Sequence, residues 1–433
     1  MSACDYAPPE VSPFGPMSLD FPRRLTLDGG VEMYVVPGGD QDVCRVEVIF
    51  RGGAYEEEMA LQATMMSSMI SHGSLKCSSR DVAERMDYCG SWLSSRCLDN
   101  HTAITLHSLN RCLRDTLPLV ADIIYNPAFP EREFGLMRDK TLSTYRTARE
   151  KVKYLASTEA CRMYFGPDHP LSRRVSDDDV ERVTVDGLRS FHSKWYHPSN
   201  CTILLSGKIG GKELELVTGL LGSKSDPRPA DEFGDFAERR AECRFNLVDK
   251  PGAVQAAVSA MLPAIPRSHP DYIPLRTLVV ALGGYFGSRL MSNIREDKGY
   301  TYGISAMLLG RMRGANISIS TQCANEYVAP LLSEVRHELG RLREEEMSQE
   351  ELDMVRSSIM SDLAKTFDTP FSIANYVASV VLYGVYPDYF NEQIRQLSAI
   401  TPAKLRDMAI KYLNPDDMTI AVAGDRQTIG PAL

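Results

Sequence analysis

A chain of 433 residues exceeds one ordinary domain, and at 43% apolar and 24% charged residues it holds material for more than one packed core. A formal charge of -9 offers no basic face to nucleic acid. No apolar run reaches the roughly 18 residues that a bilayer-spanning helix needs. The first residues carry prolines rather than a basic stretch followed by an apolar one, so no signal peptide is read there and a cytoplasmic location is expected. The ten cysteines are then expected as reduced thiols, and Cys89, Cys97 and Cys112 lack the close spacing of a zinc knuckle.

In chain order, residues 31–36 and 43–50 are predicted strands, bounded by the turns Gly29-Gly30 and Gly38-Gly39. Residues 61–71 are a predicted helix. Ser78, with Asp81 three residues on, opens a second one that runs to Cys89 with Val82 and Met86 on one face. The stripe Leu113, Leu117, Val120, Ile124 predicts a third over 110–125, broken by Asn126-Pro127. Pro130 is expected to open one long polar helix to about Ala160. Residues 222–242, polar, charged and proline-bearing, are the linker candidate. Beyond it, 256–261 reads as a strand and 272–282 as a helix. Residues 327–345 carry the stripe Val328, Leu331, Val335, Leu339, Leu342. Ser348-x-x-Glu351 is expected to form a capping box for a helix that turns Leu352, Val355, Ile359 and Leu363 inward.

An internal repeat organises these elements. Residues 183–207 (VTVDGLRSFHSKWYHPSNCTILLSG) align without a gap with 400–424 (ITPAKLRDMAIKYLNPDDMTIAVAG), 217 residues on, with eight of 25 positions identical. Thr184 and Thr401 suit a helix cap, and Pro402 suits the first helical position. Each helix is expected to end before Pro198 or Pro415 and to be followed by a short apolar strand stopped by glycine. An offset of half the chain makes each half one copy of a single unit.

Four segments then line up in order: 53–73 (GAYEEEMALQATMMSSMISHG), 124–134 (IYNPAFPEREF), 191–207 (FHSKWYHPSNCTILLSG) and 282–302 (LGGYFGSRLMSNIREDKGYTY). Together they resemble the M16 metallopeptidase family, which includes pitrilysin-like peptidases and the mitochondrial processing peptidase, over about residues 20–425. The resemblance implies an α+β fold of two homologous α/β-sandwich domains in tandem, 1–221 and 243–433, forming a clam-shell with another such pair.

For active members the resemblance implies an inverted zinc motif, His-x-x-Glu-His, on the helix after the GAYEE-like turn, with a further glutamate downstream. Here that stretch is Thr64-Met65-Met66-Ser67-Ser68, so Thr64, Ser67 and Ser68 are the degenerate zinc-motif positions. The downstream position falls near Thr144 and Tyr145, again without a carboxylate; neither Asp139 nor Glu150 is taken in its place. Neutral hydroxyls give Zn²⁺ neither charge nor a strong donor, so no metal is expected in this chain. The eight histidines offer no substitute: no pair stands four apart around a glutamate, and His192 and His197, five apart, fall on different helix faces. His72 is read as equally structural.

Arg295 and Tyr302 match the family's Arg/Tyr pair. The resemblance implies that they bind the scissile carbonyl and stabilise the oxyanion. The plainer reading pairs Arg295 with Glu296 or Asp297 at the surface and packs Tyr302 half-buried in a strand. The expected function is the non-zinc-binding subunit of a heterodimeric zinc peptidase, inactive alone. A homologous partner subunit would hold the zinc and a peptide would be the substrate, with no nucleic acid and no membrane. Two alternatives stand beside it: a catalytically inactive structural subunit, like the core proteins of respiratory complexes, and a homodimeric peptide-binding module.

Overall fold

The computed structural model describes residues 15–28, 30–222, 241 and 243–430. Apart from Gly222 and Ala241, the linker candidate lies outside the described residues, as does Gly29 of the first turn. The first sheet is built from β1 (Arg24–Thr26), β2 (Glu32–Pro37), β3 (Val43–Arg51), β4 (Trp92–Cys97), β5 (His101–Leu109) and β6 (Cys201–Gly207), in the order β1-β2-β6-β3-β5-β4. The second holds β7 (Phe245–Asp249), β8 (Gln255–Pro263), β9 (Thr301–Leu309), β10 (Asn316–Ala324) and β11 (Thr419–Gly424), in the order β7-β11-β8-β10-β9.

Without β1 the two orders are the same. In each, the last strand inserts parallel to the first and antiparallel to the second. Those inserted strands, β6 and β11, are the strands at the ends of the two repeat segments, so the duplication read from identical residues is also a duplication of topology.

The first half contributes α1 (Gln62–Met69), α2 (Ser79–Tyr88), α3 (Leu113–Tyr125), α4 (Glu131–Arg149), α5 (Val152–Phe165), α6 (Asp177–Arg182), α7 (Val185–Trp195) and α8 (Gly211–Val217). The second contributes α9 (Tyr272–Gly283), α10 (Val328–Glu344), α11 (Gln349–Ala364), α12 (Pro370–Leu382), α13 (Tyr389–Ala399), α14 (Pro402–Tyr412) and α15 (Arg426–Ile429). Local chemistry sets many of their starts. Thr184 Oγ1 accepts from Gly187 N at 3.1 Å, and Thr401 Oγ1 from Lys404 N at 3.3 Å. Ser78 and Asp81 cap α2 reciprocally.

Two expectations need correction. The single helix over 130–160 is two helices, α4 and α5, because Lys151 takes an extended conformation (φ −92°, ψ 126°) between them. The capping box at Ser348 is half formed. Ser348 Oγ accepts from Glu351 N at 3.1 Å, while the Glu351 carboxylate is held by Arg289 at 2.7 and 2.9 Å.

One face of each sheet buries a large apolar core against helices of its own half. The other face receives a helix from the opposite half. Ala156, Ala160 and Met163 of α5 lie on Ala257, Met261, Ala421 and Ala423 of the second sheet. Ala374, Val377 and Ala378 of α12 lie on Tyr34, Ile49 and Leu204 of the first. The break at Lys151 lets α5 leave α4 and cross to the second sheet.

Candidate functional site

The degenerate motif sits on α1. Leu61, just before the helix, has φ 70°, in the left-handed region, and no side chain of its own caps the helix. Glu57 does so from upstream: its carboxylate accepts from the Leu61 N–H at 3.1 Å and the Ala63 N–H at 3.0 Å. Arg173 donates to the same carboxylate at 2.8 Å. Burial pushes the Glu57 carboxyl up to about 7, against the opposing pull of Arg173 and the backbone donors.

A cavity of about 580 Å³ lies between α1 and α4, and Thr64, Ser68, Thr144 and Tyr145 all line it. The structure thus brings the degenerate stretch and its downstream counterpart to one place. Two of the four hydroxyls are already engaged. Ser68 Oγ donates to Thr64 O at 2.9 Å, and Thr144 Oγ1 to Lys140 O at 2.8 Å. Ser67 points elsewhere, with its Oγ 2.7 Å from Ser95 Oγ of β4. This donor set does not fit zinc. Among the described residues, no three His, Cys, Asp or Glu side chains group as a metal site. His192 donates from Nε2 to Ile124 O at 2.7 Å, and His197 Nδ1 lies 2.8 Å from Ser199 Oγ, so both serve local structure. The nine described cysteines are free thiols.

The second half carries Arg295 on a π-helical turn, Met291–Asp297. Asn293 anchors that turn to α10, donating from Nδ2 to Glu334 at 3.0 Å and to Glu338 at 2.7 Å. The Arg295 guanidinium lies over the Phe286 ring at 4.6 Å and 3.8 Å from the Glu296 carboxylate, so the expected surface ion pair is present but long. Tyr302 is the second residue of β9, the edge strand, and is 93% exposed. The packing reading of this tyrosine is therefore wrong: its phenol stands in solvent beside a free sheet edge. The Gly283-Gly284 step is a close approach. A Cβ on Gly283 would lie 2.6 Å from Ala306 N, so the end of α9 seats directly against β9. Tyr302 also lines a cavity of about 620 Å³ between α5 and the outer face of β8, β9 and β10; Arg295 does not line it.

Residues 182–359 match the peptidase M16 inactive domain. The chain is similar to M16 proteins. It is 25% identical over 415 residues to an uncharacterized zinc protease of Mycobacterium tuberculosis, covering 94% of each chain. Its fold is similar to the crystal structure of a peptidase M16 inactive domain from Pseudomonas fluorescens, with a TM-score of 0.85 at 22% identity, over 94% of this chain and 98% of that one. It is also similar to a chain of complex III2 from Candida albicans, with a TM-score of 0.74 at 14% identity, over 95% of this chain and 97% of that one.

The chain also ties its two halves together through residues that sequence reading did not single out. The connection from β9 to β10 reaches the GAYEE-like turn ahead of α1. Tyr55 Oη donates to Arg313 O at 2.9 Å, Arg313 pairs with Glu56, and Arg311 donates to Asp99 at 2.8 Å. The strand that carries Tyr302 therefore leads into a clasp on the α1 turn. Glu56, Glu57 and Glu58 are three adjacent acids in the sequence, and nothing there separates the buried cap from its neighbours. No helix among the described residues is long and apolar enough to cross a membrane.

Proposed function

We propose that this chain is the non-zinc-binding subunit of a two-chain M16 zinc peptidase that cleaves peptides, with a homologous partner supplying the metal. The supporting observation is an asymmetry. In the α1–α4 cavity, Thr64, Ser68, Thr144 and Tyr145 present hydroxyls where imidazole and carboxylate ligands would stand, while Tyr302 stands 93% exposed with no packing role. A zinc ion in the partner would polarise the peptide carbonyl and activate water. This chain's part is to donate hydrogen bonds. The Tyr302 phenol and the Arg295 guanidinium, anchored through Asn293 and Glu338, would hold the carbonyl oxygen as charge develops on it. The free edges of the two sheets, β4 and β9, suit extended rather than folded substrates. A cytoplasmic setting belongs to the same reading.

Kinetics of the reconstituted pair test this. Tyr302→Phe or Arg295→Ala should lower kcat/KM by about 10²–10³-fold, the loss typical of one removed oxyanion donor, with the melting temperature unchanged. Unchanged turnover in both variants would remove the shared site. The fold likeness to the complex III2 chain favours a second reading, a purely structural subunit. That reading predicts stable assembly with a partner and no effect of either variant.

A further inference from the structure

Two arginines stand six residues apart on the segment after α9, and they are held in opposite ways. Arg289 is fully committed. Its Nε and Nη2 donate to the two Glu351 oxygens at 2.7 and 2.9 Å, and its side chain is 11% exposed. The Arg295 side chain is 34% exposed and donates no hydrogen bond among the described residues; its one ion-pair partner there, Glu296, lies at 3.8 Å.

What holds Arg295 is a ring. Its guanidinium carbon lies 4.6 Å from the centroid of Phe286. Phe286 is 61% exposed, so burial gives it little reason to be apolar. Its place is fixed all the same. Tyr285 packs against the second core, Ser288 is buried, and Ser288 N donates to Tyr285 O at 3.2 Å, which closes the turn that carries Phe286. On the other side of the contact, Leu290 and Ile294 are fully buried, and Asn293 is tied to Glu334 and Glu338 of α10. Two anchored pieces of backbone thus present the ring and the guanidinium to each other.

The kind of partner decides what the guanidinium can still do. A carboxylate takes up N–H donors and cancels the charge, as Glu351 does for Arg289. A ring face attracts the cation through its quadrupole and supplies no oxygen, so the donors stay available to a substrate oxygen.

We infer that Phe286 is the positioning residue of the carbonyl-binding pair: it holds the Arg295 guanidinium in place with its donors free, and it acts on the reaction only through Arg295. The inference rests on the peptidase-subunit reading for the reaction and on the ring contact for the positioning, and separate measurements address the two.

The contact is tested by NMR on the full isolated, isotope-labelled chain. The Arg295 Nε–Hε resonance, assigned by its loss in Arg295→Lys, should show an upfield ring-current shift that Phe286→Leu removes and Phe286→Trp keeps. No such shift in the unaltered chain would overturn the inference whatever the function. The consequence is tested by kinetics of the reconstituted pair. Phe286→Leu should lower kcat about five-fold with KM and the melting temperature unchanged, and Phe286→Trp should retain turnover. In an Arg295→Ala background, Phe286→Leu should have no further effect. An equal loss in that background, or full turnover of Phe286→Leu where Arg295→Ala is impaired, would overturn the positioning role and leave the peptidase reading intact. Full turnover of Arg295→Ala would instead sink Arg295's part in the peptidase reading and with it any effect of Phe286 on the reaction, while the ring-current shift would still decide whether Phe286 holds the guanidinium.

Discussion

Glu57 carries the heaviest structural duty of any single side chain near the degenerate motif. Its carboxylate is 4% exposed and joins Arg173 to the first N–H groups of α1, whose preceding residue Leu61 sits in the left-handed region. Glu57→Ala strands Arg173 and those donors in a buried setting. That should cost about 2–4 kcal/mol, measured as a lowered urea midpoint with an unchanged slope. Glu57→Gln should cost less, since an amide oxygen still accepts. At this scale the sequence was informative where chemistry depends on residue type. Thr64, Ser68 and Thr144 offer neutral hydroxyls in place of imidazole and carboxylate wherever they sit, and they line one cavity. It was silent where the decisive property is exposure. Nothing in REDKGYTY separates a packed Tyr302 from one standing in solvent.

The exchanged helices matter most among the elements. α5 approaches the second sheet over small residues: Ala156, 1% exposed, lies against Ala257 and Ala423. Ala156→Leu should overpack that contact and cost about 1–3 kcal/mol, read by chemical denaturation. One turn further on, Glu159 links the halves. Arg162 at 2.6 Å holds its carboxyl below the usual carboxylate range, with Asn246 of β7 and Arg174 adding to the effect. An unfolded glutamate titrates near ~4.3, so this folded carboxylate releases its proton first as pH rises. Its stabilisation is present above that value and is lost as pH falls through the lower folded one. The melting temperature of Glu159→Gln should therefore lie below that of the unaltered protein at neutral pH and converge with it as pH falls through the lowered folded value. Caps and apolar stripes made α2, α3, α7, α10, α11 and α14 legible. The break between α4 and α5 was not, because Glu150-Lys151 contains neither glycine nor proline. β4, with the sequence WLSSRC, has too little apolar alternation to announce a strand.

At the scale of the molecule, the 217-residue offset made the duplication visible, since identical residues at fixed spacing survive without knowledge of contacts. The exchange of α5 and α12 between the sheets could not be read. A helix with a small-residue face carries no sign of which sheet it will cover. That exchange, with the clasp of Arg313 and Tyr55, makes the two halves one body and sets Tyr302 on an open edge. On the function proposed above, the whole would supply the donors of a reaction centre whose metal a partner holds, and the proposal stands on that division. Zinc content and chelator-sensitive peptide cleavage, measured on the purified chain before and after a zinc-bearing homologue is added, test it most directly. The account predicts no stoichiometric zinc and no cleavage in the chain alone, and both once the partner is present. One tightly bound zinc per isolated chain, with cleavage that a chelator abolishes, would contradict it.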